Sequence, residues 1–158
     1  KENSLIPDTV NEADLYLTGG SETITTGLAG DWQEIGVPAA VGVSWASDVS
    51  SRFTVGADGV ITYIGERDIC ERVTGRATVE KSGGGSDIIE VRLAKNWNGT
   101  ASDSGIEKSR AQTQNTAPTT VPVGALVELT SGDTLRVIFS NVTSTSNIIA
   151  SVSAFEIA

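Results

Sequence analysis

The chain has 158 residues, 39% hydrophobic and 20% charged, a composition that suits a globular domain able to bury a core without staples. Twenty acidic against eleven basic residues leave a net charge of −9, and no cluster of Lys and Arg marks a face for nucleic acid or an anionic membrane. With no His and a single Cys, Cys70, the chain cannot build Ser–His–Asp or Cys–His catalysis, His or thiolate zinc sites, or an internal disulfide.

Gly is plentiful at 17 residues, Ser and Thr are abundant, and helix-favouring blocks are missing, so short strands joined by turns are expected. No run of 18 apolar residues suggests a transmembrane helix. The chain opens on Lys1 and contains no Met, so it reads as a processed product, and a missing signal peptide says nothing of its compartment.

Residues 1–30, KENSLIPDTVNEADLYLTGGSETITTGLAG, hold one short strand candidate at Leu15, Tyr16 and Leu17, punctuated by Gly19-Gly20 and Gly27 to Gly30. The segment reads either as an arm that orders against a neighbour or as an edge strand and loop of the same domain. DWQEIGVP then places Trp32 and Ile35 before a Pro stop, and VGVSW follows. In RFTVGADGVITYIGERD, Phe53 and Val55 alternate with polar residues, Asp58-Gly59 supplies a tight reversal, and a β-prone run resumes at Val60, which predicts a hairpin.

Between 69 and 79, Ile69, Val73, Ala77 and Val79 share one face and Arg72, Thr74, Arg76 and Thr78 the other. Gly75 falls in the inward register and reads as a bulge. KSGGGSD is a turn, after which Ile89, Val91 and Leu93 alternate with Glu90 and Arg92. SDSGIEKSRAQTQNTAPTTVP is polar and weakly patterned, with room for one strand near Ile106 to Ala111. VGALVELTSGDTLRVIFSN reads as strand, turn, strand, with Val123, Leu126 and Leu129 before the turn and Leu135, Val137 and Phe139 after it. In NIIASVSAFEIA both registers are apolar or small, which predicts a central strand covered on both faces. Eight to ten strands and no helix point to a sandwich or jelly roll.

The surviving chemistries rest on carboxylates: a paired-acid glycosidase, or calcium held at a site scattered through the sequence. The acids stand mainly at turns (Asp31, Asp48, Asp58, Asp103, Asp133) or on outer strand faces (Glu71, Glu90), where turn formation and solvation explain them. Gly83-Gly84-Gly85 leads into a strand, so it is a linker turn and not a phosphate loop. Cys70 has no activating partner in sequence and reads as a bystander. Asn98-Gly99-Thr100 and Asn141-Val142-Thr143 match the glycosylation sequon but read as turns. Among the three indoles, Trp97 in KNWNG is the hardest to place in a core; it could pack on the domain's own surface or meet a sugar, a subunit or another partner.

The order FTVGADGVITY (53–63), VRLAKNWNG (91–99), LTSGDTLRV (129–137) and IASVSAFEI (149–157) resembles the ten-stranded jelly roll of the complement-globular-head and tumour-necrosis-factor-like superfamily. More narrowly, it is similar to bacteriophage virion proteins carrying that module, over about residues 50–158. The resemblance implies a homotrimer around a threefold axis, displayed on a particle as a capsid decoration (cement) trimer, head fibre or knob of a tail appendage. It carries no shared catalytic residues.

The expectation is therefore an all-β, TNF-like jelly roll, with residues 1–45 as attachment arm and edge strands and 46–158 as the trimerisation domain. The expected function is a phage virion structural protein, with the major capsid protein or neighbouring decoration subunits as partners and a host surface glycan as a further one. Trp97, Phe155, Ile157, Leu15, Tyr16 and Leu17 are the candidate trimer or partner contacts; no catalytic, cofactor or metal residue is expected. The alternatives are a receptor-binding knob of a tail needle or fibre and, from another class, a carbohydrate-binding module or carboxylate glycosidase.

Overall fold

The computed structural model describes residues 12–83, 86–99 and 117–158, and the backbone of 105–114. Its twelve strands, numbered in chain order, are β1 (Ala13–Thr18), β2 (Glu22–Ile24), β3 (Trp32–Glu34), β4 (Ser44–Val49), β5 (Phe53–Val55), β6 (Ile61–Tyr63), β7 (Ile69–Lys81), β8 (Ser86–Lys95), β9 (Gly105–Gln114), β10 (Thr119–Leu129), β11 (Thr134–Asn141) and β12 (Ile148–Ile157). They form two antiparallel sheets. The first runs β10-β7-β12-β1-β4, with β2 also on β12; the second runs β5-β6-β11-β8-β9, with β3 also on β11. Their inner faces enclose one core in which Tyr63, Phe139, Phe155, Ile89 and Leu93 are among the fully buried side chains. Each contributes about 1.5–3 kcal/mol by leaving water.

The predicted hairpin is present. β5 and β6 pair Phe53 with Tyr63 and Val55 with Ile61, and the turn is closed by Gly56 N–H to Val60 O at 3.0 Å and Gly59 N–H to Gly56 O at 3.0 Å. Gly59 is required twice. Its φ of +76° lies in the left-handed region, and a Cβ there would stand 2.3 Å from Trp45 Cε2. Trp45 cannot easily yield, because its indole N–H donates to Gly36 O at 2.8 Å. Gly59→Ala is expected to cost about 2–4 kcal/mol, from left-handed strain plus overpacking. Urea unfolding of the variant measures it, with wild-type stability as the contrary result.

The boundary expected at residue 45 is corrected. Residues 1–11 lie outside the described residues, but from Glu12 onward the segment belongs to the sandwich. β1 lies between β12 and β4, pairing Leu15 with Phe155 on one side and with Ser47 on the other. Glu12 is tied down as well: Arg52 Nη2 lies 2.9 Å from its carboxylate and the Ser50 hydroxyl donates to it at 2.6 Å. Those hydrogen bonds, from Arg52 first and then Ser50, hold the Glu12 carboxyl below its ordinary range.

The terminal strand is central, as expected, between β7 and β1. Its covering is corrected: it is not covered on both faces but changes face part-way along. Val152 pairs with Ala77 but Ala154 pairs with Arg76, so Ser153 is an extra residue, a β-bulge. Ile148, Ala150 and Val152 point inward before it, and Phe155 and Ile157 point inward after it. Gly75 is not the bulge. It sits inward between Phe155 on β12 and Val123 on β10, and a Cβ on it would stand 3.2 Å from Val123 Cγ2. Glycine there makes room for the Val123 side chain.

One polar cluster is built into the core's end. Lys81 and Asp87, at the two ends of the β7–β8 turn, form an ion pair of 3.2 Å with side-chain exposures of 11% and 4%. Asn141 Nδ2 and the Ser144 hydroxyl donate to the other Asp87 oxygen at 2.8 and 2.6 Å. Asn141 is itself fully buried and accepts from the N–H groups of Thr143 and Ser144, so its sequon is turn chemistry, as expected. Glu90, read as solvated, is instead buried at 4% exposure on the outward side of the second sheet.

Candidate self-association face

Of the six candidate contact residues, four are withdrawn into the chain's own core. Leu15, Leu17, Phe155 and Ile157 are each at most 7% exposed, so they are not available to a second subunit. The reason is the register of β1 on β12 and the bulge at Ser153, which turn them inward. Tyr16, between the two leucines, points outward and is 45% exposed. Trp97 is half-buried beyond β8, on the other sheet, with its indole N–H donating to Glu34 Oε2 at 2.9 Å.

Tyr16 belongs to the outward face of the first sheet. Across that face the register aligns Gly124, Thr74, Glu156, Asp14 and Asp48 from β10 to β4. One step along, Pro122, Arg76 and Ala154 stand side by side. Small residues at the centre leave two shallow grooves, one of about 230 Å³ between Tyr16, Asp14 and Ala154, the other of about 260 Å³ between Ala154, Arg76 and Pro122. Leu126, opposite Arg72, is 66% exposed on the same face.

Two features of this face suit another protein surface better than water. Tyr16 and Leu126 are large apolar side chains left exposed on a β-sheet. Asp48, Asp14 and Glu156 are like charges aligned across three strands, a line that a cationic surface complements. Arg72 and Arg76 project from β7 on the same face, both exposed. Sequence reading put these arginines outward but missed Leu126, which was grouped with inward Val123 and Leu129; its odd spacing of three from each was the available signal.

A cleft of about 400 Å³ between β4 and the β5–β6 turn is lined by Val37, Pro38, Val43, Trp45, Val55 and Ala57 among others, with no acid or base in its wall, and an open groove of about 450 Å³ along β10 is lined by Cys70, Lys95, Leu126, Val127 and Glu128. Among the described residues, no group of three or more His, Cys, Asp or Glu is arranged to hold a metal ion. Cys70 is exposed at the start of β7.

No protein-family model matches the chain, and no match was found among curated proteins. Solved structures do match. The Eiger TNF of S. frugiperda aligns over 90% of this chain and 92% of its own, at a TM-score of 0.54 and 16% identity. This is a TNF-like jelly roll. Murine APRIL is also similar, covering 89% of this chain and 98% of its own at a TM-score of 0.48 and 8% identity.

Proposed function

We propose that the chain is a non-enzymatic structural module that assembles as a homotrimer through the outward face of the first sheet. We further propose that it serves as a phage virion protein, decorating the capsid or forming a head fibre. The observation that carries the reading is the composition of that face: exposed Tyr16 and Leu126, an acidic line of Asp48, Asp14 and Glu156, and the β7 arginines Arg72 and Arg76. In a rotationally symmetric ring the contact is heterologous, so one copy's basic strand can meet the next copy's acidic line. The trimer is what the TNF-like resemblance implies, and the virion role rests on the similarity of the ordered strand motifs to phage modules.

Light scattering is expected to give about three times the chain mass of 16.4 kDa. Leu126→Glu adds a like charge beside Glu128 and removes apolar contact area, so it is expected to shift the chain to monomer with its unfolding midpoint little changed. A wild-type monomer across micromolar concentrations overturns the trimer. Imaging particles with and without the protein tests its place: threefold density on the shell supports decoration, and density on a tail appendage supports the receptor-knob reading. The rival glycosidase reading has its footing in the acidic line, where Asp14 stands between Glu156 and Asp48. New reducing ends from a host polysaccharide, abolished by Glu156→Gln, would replace the structural reading.

A further inference from the structure

Among the described residues β4 pairs with β1 alone, so its other side is an open sheet edge. The Ser50 N–H donates to Glu12 O at 2.8 Å, which fixes the phase of that ladder. Hydrogen-bonded pairs alternate along antiparallel strands, so Ser44, Ala46 and Asp48 turn their backbone groups toward β1. Trp45, Ser47 and Val49 turn theirs to the open edge, where no described strand meets them. Each carries one N–H and one C=O, a row that templates a further strand.

The inward face of β4 is open as well. Val49, Ser47 and Trp45 stand opposite Ala13, Leu15 and Leu17, which are buried at 7% exposure or less. On β4 the same row is half-buried or exposed. The cleft of about 400 Å³ lies between this row and Val55 and Ala57, and its wall carries no charge. The other face of β4 carries Asp48, which is exposed and ends the acidic line at the sheet edge. A strand added to β4 meets Asp48 in a non-hydrogen-bonded pair, the kind that brings opposed side chains closest. A cation is favoured there and a carboxylate repelled.

We propose that the β4 edge takes an extended segment of a partner protein, antiparallel to β4, with the pattern basic, apolar, any, apolar. The basic residue stands opposite Asp48, and the apolar residues stand opposite Ser47 and Trp45, where they fill the cleft. Backbone bonds to Ser47 and Trp45 hold the segment, and the contrast between charged face and apolar cleft sets its register. This chain has the same pattern at an edge in Arg52-Phe53-Thr54-Val55, but Arg52 is paired with Glu12 and Phe53 is buried in the core. The occupant is therefore another protein and not a second copy. The site lies on the rim of the sandwich, so it adds an interaction to the structural role without depending on the trimer.

Titrating the full chain with the capped hexapeptide TKVTVT tests it. The backbone amide resonances of Trp45 and Ser47 are expected to shift, and their hydrogen exchange to slow. Methylating both valine nitrogens, whose N–H groups face β4 in this register, removes two hydrogen bonds and is expected to weaken binding about tenfold. Methylating the threonine between them, whose N–H faces away, is expected to leave binding within about twofold. TEVTVT is expected to bind about fivefold more weakly than TKVTVT, and Asp48→Lys is expected to reverse that preference. No shift at Trp45 and Ser47 with millimolar peptide, full binding by the valine-methylated peptide, or an unchanged preference in Asp48→Lys overturns the proposal. Light scattering of the chain without peptide reads the trimer separately, so either conclusion can fail alone.

Discussion

Replacing Asp87 by alanine is expected to destabilise the fold by about 3–5 kcal/mol, because it removes the carboxylate that faces the buried Lys81 ammonium. The same change strips Asn141 and Ser144 of their shared acceptor, at the point where the β7–β8 turn meets the β11–β12 connection. A domain of this size has about 5–15 kcal/mol in all, so the loss is a large share of it. Burial by itself would raise the Asp87 carboxyl; hydrogen bonds from Ser144 and Asn141, with Lys81, outweigh it and hold the group below its ordinary value. A carboxyl whose folded value is depressed stabilises fully above its unfolded value, about 3.9, and loses that contribution as pH falls through the folded one. Urea unfolding should therefore show a wide gap between wild type and Asp87→Ala at pH 7 that narrows well below pH 4. The double change Lys81→Met with Asp87→Leu is expected to recover most of the loss, since apolar pairs often replace buried ion pairs at little cost. A gap under about 1 kcal/mol at pH 7 would mean that solvent already screens the pair.

Phe155→Ala is expected to cost about 3–5 kcal/mol, a large share of the roughly 5–15 kcal/mol of a whole domain, because it empties a fully buried position at the centre of the core. Deleting Ser153 is expected to be far milder. Val152 and Ala154 already pair with the consecutive β7 residues Ala77 and Arg76, so removing the extra residue joins them into a regular ladder that keeps Phe155 and Ile157 inward. Ser153→Ala keeps the extra residue and removes only an exposed hydrogen bond to Arg76 O of 3.2 Å, so it should stay within about 0.5 kcal/mol of wild type. Circular dichroism and urea midpoints of the pair separate the residue's presence from its chemistry. An unfolded deletion variant would show that the register of β12 on β7 and β1 depends on the bulge itself.

The face proposed for association shows how far local pattern reaches. Tyr16 was identified from sequence, but within a group whose other strand members, Leu15 and Leu17, point the other way. Alternation alone separates the two sets; which of them is inside depends on β12, more than a hundred residues later in the chain. The acidic line of Asp48, Asp14 and Glu156 was invisible for the same reason, because it exists only once three strands are in register.

The sequence by itself determined the all-β class, the 53–63 hairpin, the alternation of Ile89, Val91 and Leu93 and the absence of His chemistry, all of which depend on residue type and near neighbours. Tertiary structure decided the rest. Ser153 looks like its neighbours in a Ser/Ala/Val run, and it becomes a bulge only in register with β7, where Val152 and Ala154 pair with the consecutive Ala77 and Arg76. The stretch from Glu12 to Trp45 became sheet and not arm because β12 and β4 satisfy the β1 backbone on both sides. Trp32, Glu34, Arg92 and Trp97, spread over some sixty residues, share a face only because β11 brings β3 and β8 together. Long-range pairing fixes which side of a strand meets water, and side-chain alternation, having a period of two, cannot specify that alone.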